Sequence, residues 1–237
     1  MTYSVTPNDY SNTANPAKPV EISTVTATDD PLPPPVLGGW LEFIQSLINK
    51  FINPYISAVQ KYTAYLKDIT DLESFISQKI SASGDDKLPV NIDCAAIKDK
   101  ISALIDKYSI PNPAGSLFTS TATGIDGKNQ ALKWAAEFGM DPSMVCQTVD
   151  GKWAVKVDLS QLTQIFNTFS DRSGNKFDIP TYNQIITAKD AQVQTIKNTM
   201  QALTEKYSRA FATMNNITTL FSSTCKSTYD TLSAYLR

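Results

Sequence analysis

The sequence predicts an α+β protein, mainly α: a long antiparallel two-helix coiled coil with a small mixed α/β domain inserted between the helices. Three observations carry this. The last stretch of about 55 residues has no Gly or Pro and places apolar residues at alternating steps of three and four. An earlier segment, residues 40–80, carries a second apolar stripe at helical spacing. Between them lie turn residues, short β-prone runs and an Asp-Gly dipeptide.

Residues 1–37 are rich in Ser, Thr, Asn, Asp and Pro. Such a composition buries too little apolar surface to offset its ordering entropy, so this segment is expected to be a disordered tail, bounded by Gly38 and Gly39. Residues 38–82 are expected to form the first long helix. Trp40, Phe43, Ile44, Leu47, Ile48, Phe51 and Ile52 make one stripe, interrupted by Asn53-Pro54. Proline lacks an N–H and clashes inside a helix but is welcome at a first helical position behind an Asn cap, so a kink and a fresh start are both open. Tyr55, Val59, Tyr62, Leu66, Ile69, Ile76 and Ile80 continue the seam, with Glu73 in the one slot that is not apolar. Gly84 is expected to end the run.

Residues 83–180 form the expected insertion. Residues 88–92 read as an edge strand because of Pro89, and Asp93 reads as the cap of a helix reaching Tyr108 with Ile97, Ile101, Leu104 and Ile105 inward. Residues 109–127, rich in Ser, Thr, Pro and Gly, read as a long loop, followed by a short helix over 128–138 stopped by Gly139. A hairpin at 145–157 turns on Asp150-Gly151, the pair a type I′ turn prefers. Asp158 caps a further helix with Gln161 at the reciprocal position, residues 171–175 turn, and residues 177–179 add a short strand.

Residues 181–237 form the second long helix, and 55 residues at 1.5 Å each give a rod of about 80 Å. Val193, Ile196, Met200, Leu203, Tyr207, Ala210, Met214, Ile217 and Phe221 keep a heptad seam, which then shifts by a stutter to Cys225, Tyr229, Leu232 and Leu236. A helix this long needs a partner, and the first long helix is the only one of comparable length. The insertion leaves and returns at one end, so the pair is antiparallel, with Ile80 expected near Ile186.

The composition excludes much. There is no histidine, which removes the usual general base and the commonest metal ligand. Cys94, Cys146 and Cys225 are three in number and widely spaced, so they read as independent thiols rather than a disulfide framework or metal site. A net charge of −2 without basic runs argues against nucleic-acid binding. No segment is long and apolar enough for a membrane span, and residues 1–30 lack the pattern of a cleavable signal peptide. The expectation is a protein that is not an enzyme, with no catalytic residues, cofactor or metal. Asp68, Asp71, Glu73, Asp85 and Asp86 are read as a solvated acidic face, and Lys133, Trp134 and Trp153 as packing residues.

Three stretches, in this order and spacing, carry a family resemblance. The first is YISAVQKYTAYLKDI at 55–69; the second runs from VNID at 90–93 to IDKY at 105–108; the third joins WAVKVDL at 153–159 to MQALTEKYS at 200–208. Over residues 40–237 the chain resembles the needle-tip proteins of bacterial type III secretion systems, the IpaD, SipD and BipD family. It departs from that family in one respect: the self-chaperoning helical hairpin expected before the first long helix has no counterpart in the residues preceding Trp40.

The resemblance implies a secreted structural protein at the needle tip on the bacterial surface. It would control secretion as a small oligomer and offer a platform for translocator proteins during host-cell invasion. Implied partners are the needle subunit, translocators and further copies of itself; bile salts are a possible partner to which no residue is assigned. The alternative is a self-assembling filament or coiled-coil scaffold of a secretion apparatus. The needle end would be the end carrying both termini, with Trp40, Phe43, Leu47 and Phe51 from the first helix and Cys225, Lys226, Tyr229, Asp230, Leu232 and Leu236 from the last. Each group has a plainer reading: Trp40 to Ile52 as packing on the C-terminal helix, Cys225 to Leu236 as continued seam, and Lys226 and Asp230 as a solvated helix face.

Overall fold

A computed structural model describes residues 34–170 and 174–235. The expected disordered tail falls almost wholly outside these residues, as does most of the expected turn at 171–175. The elements in order are α1 (Pro34–Leu47), a π turn (Ile48–Ile52), α2 (Asn53–Gln78), β1 (Ile80–Ala82), β2 (Val90–Ile92), α3 (Cys94–Tyr108), β3 (Ser116–Thr123), α4 (Gly124–Phe138), β4 (Val145–Gln147), β5 (Lys152–Lys156), α5 (Ser160–Ser170), β6 (Lys176–Phe177) and α6 (Ile179–Tyr235). The architecture is mainly α with a small β part, as expected.

The helical backbone does not stop at Asn53-Pro54. Asn53 is helical (φ −60°, ψ −39°) and donates its N–H to the Ile48 carbonyl. It is the turn before Pro54 that widens. The helix also starts at Pro34, so Gly38 and Gly39 lie inside it rather than at its edge.

The chain divides into two compact units, Ser57–Thr204 and the combination of Met1–Ile56 with Glu205–Arg237. The first holds most of α2, the front of α6 and both sheets. Two three-stranded antiparallel sheets have the orders β1-β2-β6 and β3-β5-β4. In the first, Ile80 pairs with Ile92 and Val90 with Phe177. This corrects two expectations. Ile80 is not the last seam residue of a helix but the first of a strand, because the chain leaves α2 at Lys79 and reverses through Gly84 at φ +71°. The strand after Pro89 is central rather than an edge; Pro89 precedes the paired residues, so its missing N–H removes no ladder bond.

Asp93 caps α3 as expected, accepting from the Ala96 N–H at 3.1 Å. The largest departure is β3. Residues 116–123 were expected in a loop but form the longest strand, paired with β5. Alternation holds only beyond the register shift at 116/118: Ser120 is buried between the exposed Thr119 and Thr121, Thr123 is exposed, and ahead of the shift Ser116 and Leu117 are both buried. Side chains satisfy local groups of this strand. Gln130 accepts from the N–H and hydroxyl of Thr121, each at 3.1 Å, and Ser120 donates to Ala122 O while accepting from the backbone N–H of Trp153. Gly127, at the start of α4, is pressed so close that an added Cβ would lie 2.2 Å from the Ala122 carbonyl oxygen.

The β4–β5 hairpin is where it was expected, but its loop has three residues rather than two. Gly151 (φ +76°) donates its N–H to Thr148 O at 3.0 Å, and Thr148 and Lys152 close the ladder. Gly139 ends α4 in the left-handed conformation at φ +74°. Asp158 caps α5 through the Ser160 N–H, and Asp178 caps α6 through the Thr181 N–H, both at 2.9 Å.

The core of this unit is continuous. Tyr62, Tyr65, Ile69, Leu72 and Ile76 of α2 are buried, as are Ile97 and Ile101 of α3, Leu162, Ile165 and Phe169 of α5, and Ile185, Val193, Ile196 and Leu203 of α6. Trp134 packs between Phe118 and Phe138 with ring centroids 5.5 and 5.4 Å away, the packing role expected for it. Trp153 lies under the Lys128 ammonium at 5.3 Å.

Candidate partner-binding face

The expected partner residues derive from the two ends of sequence that the second unit combines, Met1–Ile56 and Glu205–Arg237. In α1, Phe43 is 49% exposed and Leu47 half-buried; in the π turn, Phe51 is 44% exposed while its neighbour Ile52 is buried. In α6, Cys225 and Tyr229 are half-buried, and Lys226 and Asp230 are exposed. The side chains of Trp40 and Leu232, and all of Leu236, lie outside what the structure describes.

Along α6 the seam is legible in the burial. Tyr207 and Met214 are buried, Ala210 and Phe211 half-buried. The pattern then loosens: Ile217 is 39% and Leu220 68% exposed. The loosening starts at Ile217, ahead of the shift of seam at 221–225.

The final turns of α6 have two different faces. Cys225 and Tyr229 are one step of four apart and share the half-buried side. On the opposite side Lys226 and Asp230 lie with Ser223, Ser227, Thr231, Ala234 and Tyr235 along one exposed helix face, a strip of small hydroxyl-bearing residues with one charge of each sign.

The acidic residues are not the uniform solvated face expected of them. Asp71 is exposed beside Lys67, but Asp68 and Glu73 are half-buried and paired. Asp68 accepts from Lys107 Nζ at 2.5 Å and from the Tyr108 hydroxyl at 2.7 Å. Burial alone would raise its pKa; those two hydrogen bonds and the charges of Lys107 and Lys67 outweigh that and hold the carboxyl below its ordinary range. Burial pushes the Tyr108 hydroxyl up, and the Asp68 charge adds to this. Burial likewise pushes Tyr62 up to about 12, a hydrogen bond with Thr199 opposing it in part.

Glu73 shows what the sequence reading missed. Its carboxylate sits 3.3 Å from Lys197 Nζ and 3.8 Å from Lys189 Nζ, and Lys189 is only 8% exposed. Lys189 is four residues before Val193 and so occupies a seam position on α6, as Glu73 does on α2. A charged slot in one seam thus faces a charged slot in the other. The signal was available as two gaps in two heptad patterns. Together with Tyr62 facing Thr199, these contacts give the antiparallel sense expected for the pair.

Among the described residues no group of Cys, Asp and Glu is arranged to hold a metal, and no helix is long and apolar enough to cross a membrane. The three thiols are unpaired, and burial raises the pKa of Cys94 and Cys146.

Comparison with known proteins agrees with this architecture. A model of the type III secretion systems tip complex components matches residues 41–236. The cell invasion protein SipD of Salmonella typhi is 28% identical over 201 residues, covering 82% of this chain and 58% of SipD. The invasin IpaD of Shigella flexneri is 26% identical over 196 residues, covering 81% of this chain and 57% of IpaD. The chain therefore spans a little under three fifths of the length of these relatives. Among solved structures, BipD, a component of the type III secretion system of Burkholderia pseudomallei, superposes with a TM-score of 0.63 at 25% identity, covering 85% of this chain and 69% of BipD. A pathogenicity island 1 effector protein from Chromobacterium violaceum gives 0.68 at 25% identity over 78% of this chain and 57% of its own. The match to the family model extends over most of the sequence and takes in both long helices and everything between them: the chain belongs to the family of type III secretion system tip complex components.

Proposed function

We propose that this protein is secreted through the type III apparatus, caps the needle as an oligomer of a few copies, and there controls secretion and supports the translocator proteins at host contact. The role is one of binding and assembly. The observation that carries the reading is the family match over residues 41–236. The end of α6 supports it with apolar side chains at Ile217, Leu220 and Tyr235 that are 39%, 68% and 86% exposed. In this reading those turns, with Lys226 and Asp230, meet needle helices, and Phe43, Leu47 and Phe51 belong to the same contact surface. The insertion points to translocators and host.

Sedimentation of the protein with and without purified needle subunit tests this. A tip component forms a complex of bounded size that requires the needle subunit or a small self-oligomer. Unlimited growth of the protein alone would instead establish a self-assembling filament or scaffold.

A further inference from the structure

Pro54 has no amide hydrogen, and in an α-helix its ring would collide with the Lys50 carbonyl four residues back. The chain avoids this by widening the preceding turn. Ile48–Ile52 is a π turn, in which Asn53 donates its N–H five residues back to Ile48 O. A π turn inserts one residue with almost no added rotation. Everything before it is therefore rotated by about 100° relative to an uninterrupted α-helix.

That rotation decides which residues share a face with the buried Ile52, Tyr55 and Ile56, which are 3%, 6% and 7% exposed. An uninterrupted helix would align them with positions 45, 48 and 49, bringing Gln45 and Asn49 inward. In the structure Ile44, Leu47 and Ile48 are half-buried, and Gln45 and Asn49 are exposed. The outward amides form a row, with Gln45 Nε2 and Asn53 Nδ2 both donating to Asn49 Oδ1, at 3.2 and 3.0 Å.

We infer that Pro54 is a positioning residue: by forcing the π turn it sets the rotational phase of α1, so that the stripe of Ile44, Leu47 and Ile48 runs on into Ile52, Tyr55 and Ile56. This concerns the helix itself and stands independently of any needle contact.

In Pro54→Ala the turn is free to close to α-helical form. Each residue before it then takes the orientation its predecessor has now: Gln45 replaces Ile44 on the inner side, and Ile44 moves to the exposed direction of Phe43. The test places a cysteine at either position (Gln45→Cys or Ile44→Cys) in the full chain and follows alkylation by peptide mass spectrometry, with the native cysteines left in place. With Pro54 present, position 45 reacts several-fold faster than position 44. With Pro54→Ala the order reverses, and deleting Asn49 in that background removes the extra residue and restores the original order. An unchanged order in Pro54→Ala, a reversal that the deletion leaves in place, or equally fast labelling of both positions, the mark of a melted helix, overturns the inference.

Discussion

Replacing Glu73 by leucine leaves Lys189 in the seam without its cross-helix partner. Breaking a fully buried ion pair from one side costs about 3–5 kcal/mol. The structure argues for less. The Glu73 side chain is 25% exposed, Lys189 keeps Asp190 at 2.7 Å, and Lys197, 44% exposed, turns to solvent. The expected loss is about 2 kcal/mol, a fall of about 4–8 °C in melting temperature for a chain of this size. Changing Lys189 to leucine as well removes both desolvated charges and leaves two apolar residues at facing seam positions. Glu73→Leu/Lys189→Leu should then recover wild-type stability or exceed it. Urea denaturation followed by circular dichroism at 222 nm, run as a double-mutant cycle, gives the coupling directly. A neutral Glu73→Leu, or a double variant as unstable as the sum of the singles, would refute the reasoning that these charges face each other in the seam.

Other outcomes follow from the same structure. The Asp68 pKa is lower in the folded protein than its ordinary 3.8, so its contribution to stability is present above that value and lost as pH falls through the lowered one; Asp68→Asn should flatten the acid limb of stability against pH while lowering stability near pH 7. Gly127→Ala drives a methyl to within 2.2 Å of backbone at Ala122, and urea midpoints should show a loss of at least about 2 kcal/mol. Phe43→Ser/Phe51→Ser, at side chains nearly half exposed, should reduce self-association in sedimentation without lowering the melting temperature; an unchanged oligomer would remove this stripe from the proposed interface. Charge reversal of Lys226 and Asp230 one at a time should weaken needle-subunit binding and leave the helix content unaltered, and unaltered binding would remove these residues from it.

The long helices were legible because their energetics are periodic. Val193, Ile196, Leu203, Tyr207 and Met214 are buried at the steps of three and four that a heptad seam requires, and caps such as Asp93 and the stop at Gly139 are local chemistry. What was not legible depended on contacts distant in sequence. Residues 116–123 look like a loop by composition, and become a strand because β5 supplies the ladder and α4 packs closely against them. Ile80 fits a helical seam by spacing, yet joins Ile92 in a sheet. Pro54 signalled an interruption correctly, but whether the helix kinks, restarts or widens rests on the phase of the stripes on either side of it. The exposed apolar residues of α6, Ile217, Leu220 and Tyr235, were not among those expected to meet a partner, and the loss of burial from Ile217 was hidden because the heptad pattern itself continues through that residue.

Electron microscopy of purified needles incubated with the protein tests the account most directly. Needle capping predicts added density at one end of each needle, of a size set by a few copies, and its loss in the Lys226 and Asp230 charge-reversal variants. Density along the whole needle, or filaments formed by the protein with no needle present, would contradict it.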